Sequence, residues 1–321
     1  MISFIKRRFD AWWQARHAPT DTWTLTQSNI YIVPTRVGFA FAATLMVLLV
    51  ASINYQLNLG FLLTFMLAGS GLVSMQLTHR TLRGLTLHLR PPEPAFAGQA
   101  AVLQIVLTGS RSARYGIGLR TRIDDDGGKE PRWTWADVPA GARVSAHVSF
   151  VPQLRGLHAL PTLVAETRFP FGLFRAWTLW RPASRVLVYP SPEQPAAPLP
   201  AAHAVPAQSS DRQRSQSGDF EGVRAWQRGD ALRRVVWKKF ARTGELVSRD
   251  THAATRQQLW FDYGQARLPT PEQRLSRLTA WVLAADRAGA EWGLRLPGVE
   301  LEPGYGDGHR RAGLEALALW S

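Results

Sequence analysis

The residues from Ser217 to Asp250 read "SGDFEGVRAWQRGDALRRVVWKKFARTGELVSRD". Five carboxylates stand here among eight cations and several aromatics, with no histidine and no cysteine. A carboxylate and an amine held close can move protons, and Asp230, Glu221 and Lys238 could form such a set. Structural ion pairing accounts for the same residues with fewer demands. The rest of the chain adds no catalytic pattern: there is no G-x-x-x-x-G-K-[ST] phosphate loop, no H-E-x-x-H and no G-x-S-x-G elbow. Its eight histidines are scattered. With no cysteine at all, disulfides, thiolate catalysis and zinc–cysteine sites fall away together. We expect no enzymatic activity and no cofactor.

The net charge of +14 favours anionic partners. In the stretch itself, however, carboxylates are interleaved with the cations, which dilutes attraction to a phosphate backbone and argues against nucleic acid. The positioning elements can be read locally. Asp230 stands where a helix N-cap would, and Gly244 is a natural stop. Between them Leu232, Val235, Val236 and Phe240 share a face. Arg233 and Trp237 lie four apart, so a guanidinium can cover an indole. Lys239 falls inside the apolar stripe and needs a partner, for which Asp219 and Glu221 are candidates. The expectation is a strand, a tight "QRGD" turn and a capped helix, braced by ion pairs.

Much earlier, Val37 to Thr78 carries no charged side chain. Two apolar runs, each near the ~17–25 residues that span a bilayer, flank the short polar bridge Asn54–Asn58. This spacing predicts a transmembrane hairpin over 37–78. Lys6, Arg7, Arg8, Arg16 and Arg36 precede it, and His79, Arg80 and Arg83 follow. Positive flanks on both sides place both termini in the cytoplasm. Ala68, Gly69, Ser70, Gly71 and Ser74 are small enough for close helix approach. The leader, 1–36, puts Ile2, Ile5, Phe9, Trp12 and Trp13 on one helical face beside cations, as an interfacial amphipathic helix would.

Residues 84–190 read as all-β. Val144, Ala146, Val148 and Phe150 alternate with Ser145, His147 and Ser149, the period of a half-buried strand. Several such runs with turn signals between them predict a β-sandwich. Asp124–Asp126 does not match an alternating calcium loop and is read as a solvated turn. Residues 191–217 are rich in proline and alanine and read as a linker. In 218–321, "QQLWFDYG" is a strand. "TPEQRLSRLTAWVLAADRAG" is a helix capped at Thr270, "AEWGLRLPG" a strand and "GHRRAGLEALALW" a helix. That order predicts a small α/β unit with a parallel pair.

At this point a resemblance can be stated. Gly218, Asp219, Phe220, Val223, Arg224, Trp226, Gly229, Asp230, Arg233, Val236, Trp237, Lys238, Ala241, Arg242, Thr243, Gly244 and Leu246 follow a spacing similar to the signature of the domain-of-unknown-function-58 family of bacterial proteins. Trp226 departs from the more usual tyrosine. The basic flank, the hairpin, and a β region ending in "RFPFGLF" and "VLVYP" agree with the same family. The resemblance implies a C-terminal von Willebrand factor A-like domain. Such domains can hold a divalent metal through D-x-S-x-S. Here Asp262 occupies the aspartate position, but Gly264 and Ala266 replace both serines. It therefore implies a shortened, metal-free version. It further implies an adaptor in the inner (plasma) membrane, working with a MoxR-type AAA+ ATPase and a transglutaminase-like membrane protein in envelope maturation or stress. The alternatives are an unrecognised membrane-bound hydrolase and a binding module for nucleic acid or anionic lipid.

Overall fold

The computed structural model describes residues 18–109, 112–122, 132–201, 203–206, 223–225, 247–249 and 255–320. It divides into two compact units, Met1–Ser191 and Pro192–Ser321. The amphipathic leader helix expected over residues 1–17 and the Asp124–Asp126 turn lie outside the described residues.

Two long helices enter the first unit: α1 (Arg36–Asn54) and α2 (Asn58–Leu82), joined by a turn in which Gln56 adopts φ 51°. At 1.5 Å per residue, the 19 residues of α1 reach about 28 Å, close to the ~30 Å hydrocarbon thickness of a bilayer. Both helices are long and apolar enough to cross a membrane. A soluble core helix of such composition would be mostly buried. Here only 11% and 17% of the most apolar windows are. The residues the pair does bury are small or hydroxylated: Gly38 and Ser52 on α1, and Thr64, Gly71, Ser74, Thr78 and Thr81 on α2, with Leu82 at its end. Phe39, Met46, Val47, Phe65 and Met66 face outward. This inverts the pattern of a protein in water and matches helix packing in lipid. Except for Ser74, the hydroxyls satisfy themselves on their own helices, as in Ser52 Oγ to the Leu48 carbonyl at 2.7 Å and Thr64 Oγ1 to the Gly60 carbonyl at 2.8 Å. The helices pass so closely that a Cβ on Gly60 would sit 2.3 Å from Ser52 Oγ.

The β part of this unit has three sheets. In the first, β1 (Thr22–Thr24), β3 (Thr86–Leu89), β5 (Ala101–Thr108) and β8 (Arg143–Phe150) pair in that order. In the second the order is β2 (Tyr31–Pro34), β11 (Phe174–Trp180), β10 (Leu163–Thr167), β6 (Arg114–Thr121), β7 (Thr134–Val138). A third joins β4 (Ala95–Phe96), β12 (Arg185–Tyr189) and β9 (Gly156–Ala159). Leu103, Ile105 and Leu107 of β5 meet Ile117 and Leu119 of β6 and Ala146 and Val148 of β8 in one core. The alternation read in β8 holds: Ala146, Val148 and Phe150 are buried, while Ser145, His147 and Ser149 are exposed. β10 is buried at every position: α2 packs near it, and Val164 is covered by Leu179, Trp133 and Trp177.

Residues 22–34, read from sequence as leader, supply a strand to each of the two larger sheets. β1 pairs with β3 and β2 with β11, both antiparallel. Leu25 and Ile30, between the strands, enter the core. The segment is bolted down further. Asp21 accepts hydrogen bonds from the Ala183 and Ser184 amides and from Ser184 Oγ, and Trp180 Nε1 donates to the Thr20 carbonyl.

The second unit is a small α/β structure. Its sheet runs β13 (His203–Pro206), β16 (Thr255–Asp262), β17 (Glu291–Leu296), β18 (Val299–Gly304). Only β16 and β17 are parallel, and α3 (Pro271–Arg287) connects them, as the sequence order predicts. Thr270 caps α3 in a reciprocal box with Gln273, and Pro271 opens the first turn. Leu275, Leu278, Trp281 and Val282 bury its inner face. The last helix, α4 (Asp307–Leu319), lies on Trp292, where a Cβ on Gly313 would stand 2.4 Å from the indole. β18 was not anticipated. Nor was the course of the proline-rich segment: Glu193 forms two 2.9 Å bonds with Arg277, and Trp281 Nε1 reaches the Pro198 carbonyl, so residues 193–198 are tied to α3.

Candidate functional site

Of the signature residues, the structure describes those of β14 (Val223–Ala225) and β15 (Val247–Arg249). These pair antiparallel, with Arg224 opposite Ser248 and Val223 opposite Arg249. The two ends of the signature thus meet in one ribbon. The first strand agrees with the sequence reading; the returning strand was not anticipated. Gly218, Asp219, Phe220, Glu221, Trp226, Gly229, Asp230, Arg233, Trp237, Lys238, Arg242 and Gly244 lie outside the described residues, and with them the expected capped helix.

Asp262 ends β16, at the carboxyl edge of the parallel pair, where α/β sheets commonly place ligands. Its Oδ1 accepts the Gly264 amide at 2.7 Å and its carbonyl accepts the Gln265 amide at 3.0 Å. The carboxylate is therefore engaged in closing its own turn. Ala266, at the second expected serine position, is fully buried. Beside Asp262, Tyr263 packs on Trp320 with ring centroids 4.9 Å apart, and Arg274 lies 5.2 Å over Tyr263. Arg295 covers Trp260 at 3.8 Å and pairs with Glu300. Among the described residues no three of His, Asp and Glu cluster closely enough to hold a metal ion.

Sequence reasoning missed a second constellation, at the junction of the helix pair with the β sheets. Thr35 caps α1 by accepting the Gly38 amide at 3.1 Å. It also donates its hydroxyl proton to the Gly172 carbonyl at 2.6 Å, and its amide to the Leu173 carbonyl at 2.9 Å. A Cβ on Gly38 would fall 2.1 Å from that same Leu173 oxygen, so only glycine fits. At the other helix, the Arg114 guanidinium donates to the carbonyls of Arg80 and Arg83, which end α2. A cation here meets the negative end of the helix dipole. Burial, reinforced by the Arg80 charge, draws Arg114 below the usual guanidinium range. Between them, Glu166 of β10 is wholly buried and receives Arg175 at 2.6 Å and Arg168 at 3.2 Å. The only sequence signal was a charged residue inside an otherwise buried strand, "LVAET".

No known family matches the chain, and no curated protein matches it either.

Proposed function

We propose that the chain is a membrane-anchored interaction protein of the domain-of-unknown-function-58 type. In this reading α1 and α2 form a transmembrane hairpin in the bacterial inner (plasma) membrane, and the flanking segments face the cytoplasm. The observation that carries it is the inverted helix pair, small and hydroxylated inside and apolar outside. The strand pairings of β1 with β3 and β2 with β11 support the even number of crossings. They join residues before and after the hairpin in the same sheets. The excess of Lys and Arg on both flanks supports the cytoplasmic side.

The interaction surface is the signature region that begins and ends in the β14–β15 ribbon. Its partner is a MoxR-type AAA+ ATPase, with a transglutaminase-like membrane protein in the same assembly, in envelope maturation or stress. The second unit is a shortened von Willebrand factor A-like domain whose Asp262 serves its own turn rather than a metal. Among the described residues no catalytic set supports an enzyme.

Two experiments test this. The full-length protein should remain in the membrane pellet after alkaline carbonate; its release would end the membrane reading. Purified with that ATPase, it should form a complex that R224A, K238A and R242A weaken while leaving the melting temperature nearly unchanged, as expected of cations that specify binding rather than brace the fold. Unfolding of the three variants would make the cations internal braces and refute the docking surface.

A further inference from the structure

The junction carries a surface that the hairpin alone does not require. Between β10 and β11 the chain reads Arg-Phe-Pro-Phe-Gly-Leu from Arg168 to Leu173. A turn of this kind exposed to water is ordinarily polar. Here Phe169 is 41% exposed and Phe171 66%, and Tyr115, whose ring lies 5.5 Å from that of Phe169, is 48% exposed. The turn is held firmly in this presentation. The Phe169 amide donates to Thr167 Oγ1, the Gly172 amide to the Arg168 carbonyl, and Gly172 takes φ 71°, which a glycine accepts without strain.

The same turn is fastened to the start of α1 through the Thr35 bonds to Gly172 and Leu173. Its position relative to the hairpin is therefore fixed. Where α1 begins to cross a bilayer, the turn must lie at the bilayer surface. Arg168, paired with Glu166 but more than half exposed, opens the turn, and Arg36 follows Thr35 in the segment bonded to it. Aromatic rings with neighbouring guanidinium groups are the composition of a membrane–water interface. Beside the turn, an apolar groove of about 360 Å³, lined by Pro34, Gly38, Phe41, Leu45, Gly71 and Leu173, continues from the β sheets onto the helices. Leu173, the last residue of the turn, lines this groove together with residues of both helices.

We infer that the β10–β11 turn is a second membrane contact. Phe169, Phe171 and Tyr115 lie in the interfacial zone of the phospholipid bilayer, so that the first β unit rests on the membrane instead of hanging from the hairpin by a flexible stalk. This rests on the membrane reading above, and the occupant is lipid, not a protein partner.

The cysteine-free chain allows a direct test. Single-cysteine variants F171C, F169C, M46C and V102C of the full-length protein are spin-labelled and reconstituted in phosphatidylcholine vesicles containing phosphatidylglycerol. Collision rates with oxygen, which concentrates in lipid, and with a water-soluble nickel chelate give the depth of each label. Met46 is at the middle of α1, and Val102 lies six residues along β5 from Thr108, the partner of Thr86 beside the hairpin. The labels at 171 and 169 should show a depth between that of the shielded label at 46 and the aqueous label at 102. If 46 is shielded but 171 and 169 are as nickel-accessible as 102, the hairpin spans and this inference falls alone. If 171 and 169 are immobilised and shielded from both reagents, the turn is covered by protein and the lipid contact is refuted. If 46 itself is nickel-accessible, the membrane reading falls, and this inference with it.

Discussion

Removing either partner of the Glu166–Arg175 pair should have unequal effects, although the same contact is lost. Glu166 is wholly buried, whereas the Arg175 side chain is 33% exposed and that of Arg168 is 56% exposed. In R175A the carboxylate stays buried with only the longer 3.2 Å contact to Arg168. Stranding a buried charge typically costs about 3–5 kcal/mol, and the remaining arginine places this case near the lower end, about 3. In E166A the freed arginines can turn toward water. The loss is then that of hydrogen bonds to a charged group, about 1.5–3 kcal/mol. R168A should cost about 0.5 kcal/mol or less, because its guanidinium is more than half exposed and Arg175 still neutralises the carboxylate. The double variant E166A/R175A should be more stable than R175A by roughly 1 kcal/mol, since removal of the carboxylate relieves the stranded charge. The assay is thermal unfolding of the full-length protein in detergent micelles, followed by near-ultraviolet circular dichroism. For a unit of this size 1 kcal/mol shifts the midpoint by about 2–4 °C, so R175A should melt about 6–12 °C lower. If E166A melts below R175A, or R168A matches R175A, the carboxylate is not the buried member that dictates the pairing.

G38A should force the first turn of α1 away from the Leu173 carbonyl and cost about 1–3 kcal/mol, read as a lower melting temperature in micelles. Acid should loosen the 193–198 segment. The hydrogen bond from Arg277 outweighs partial burial and holds the Glu193 carboxyl below its ordinary 4.5, so its stabilisation is complete above that value and is lost as pH falls through the lower folded value. Hydrogen exchange of residues 193–198 should therefore rise as pH falls below 4.5, with E193Q raising it at neutral pH and removing the acid step; the pair contributes at most about 1 kcal/mol. Magnesium or manganese should leave the melting temperature unchanged in both the native chain and D262A, and a metal-dependent rise lost in D262A would show a functioning cation site.

How far the sequence could be read depended on the range over which each element is determined. The hairpin was legible because a charge-free run of such length is a local property, and the observed helices extend it only to Arg36 and Leu82. β8 and α3 were legible because alternation and a Thr270–Gln273 box are written into neighbouring residues. β1 and β2 were not. They span three and four residues, too few to show a period, and their partners stand far along the chain in β3 and β11. The junction failed for a related reason. Nothing near Thr35 marks it as a partner of Gly172, and nothing near Glu166 distinguishes Arg175 from any other cation until the sheet brings them together. The "QRGD" turn and its helix lie outside the described residues; of that reading, the structure describes the strand at Val223–Ala225.

The placement of β1 and β2 ahead of the hairpin bears on the order in which the molecule can be made. As the chain leaves the ribosome, residues 22–34 emerge before the hairpin, yet the pairing of β1 waits for residue 88 and that of β2 for residue 177. Closure over such separations is slow. Meanwhile α1 and α2, the more urgent apolar load, must already have left water. In the proposed membrane reading, the anchor would thus insert before the sheets that flank it can close. In that reading the N-terminal segment would wait as an open seam, with Leu25 and Ile30 uncovered, until β11 arrives to pair with β2.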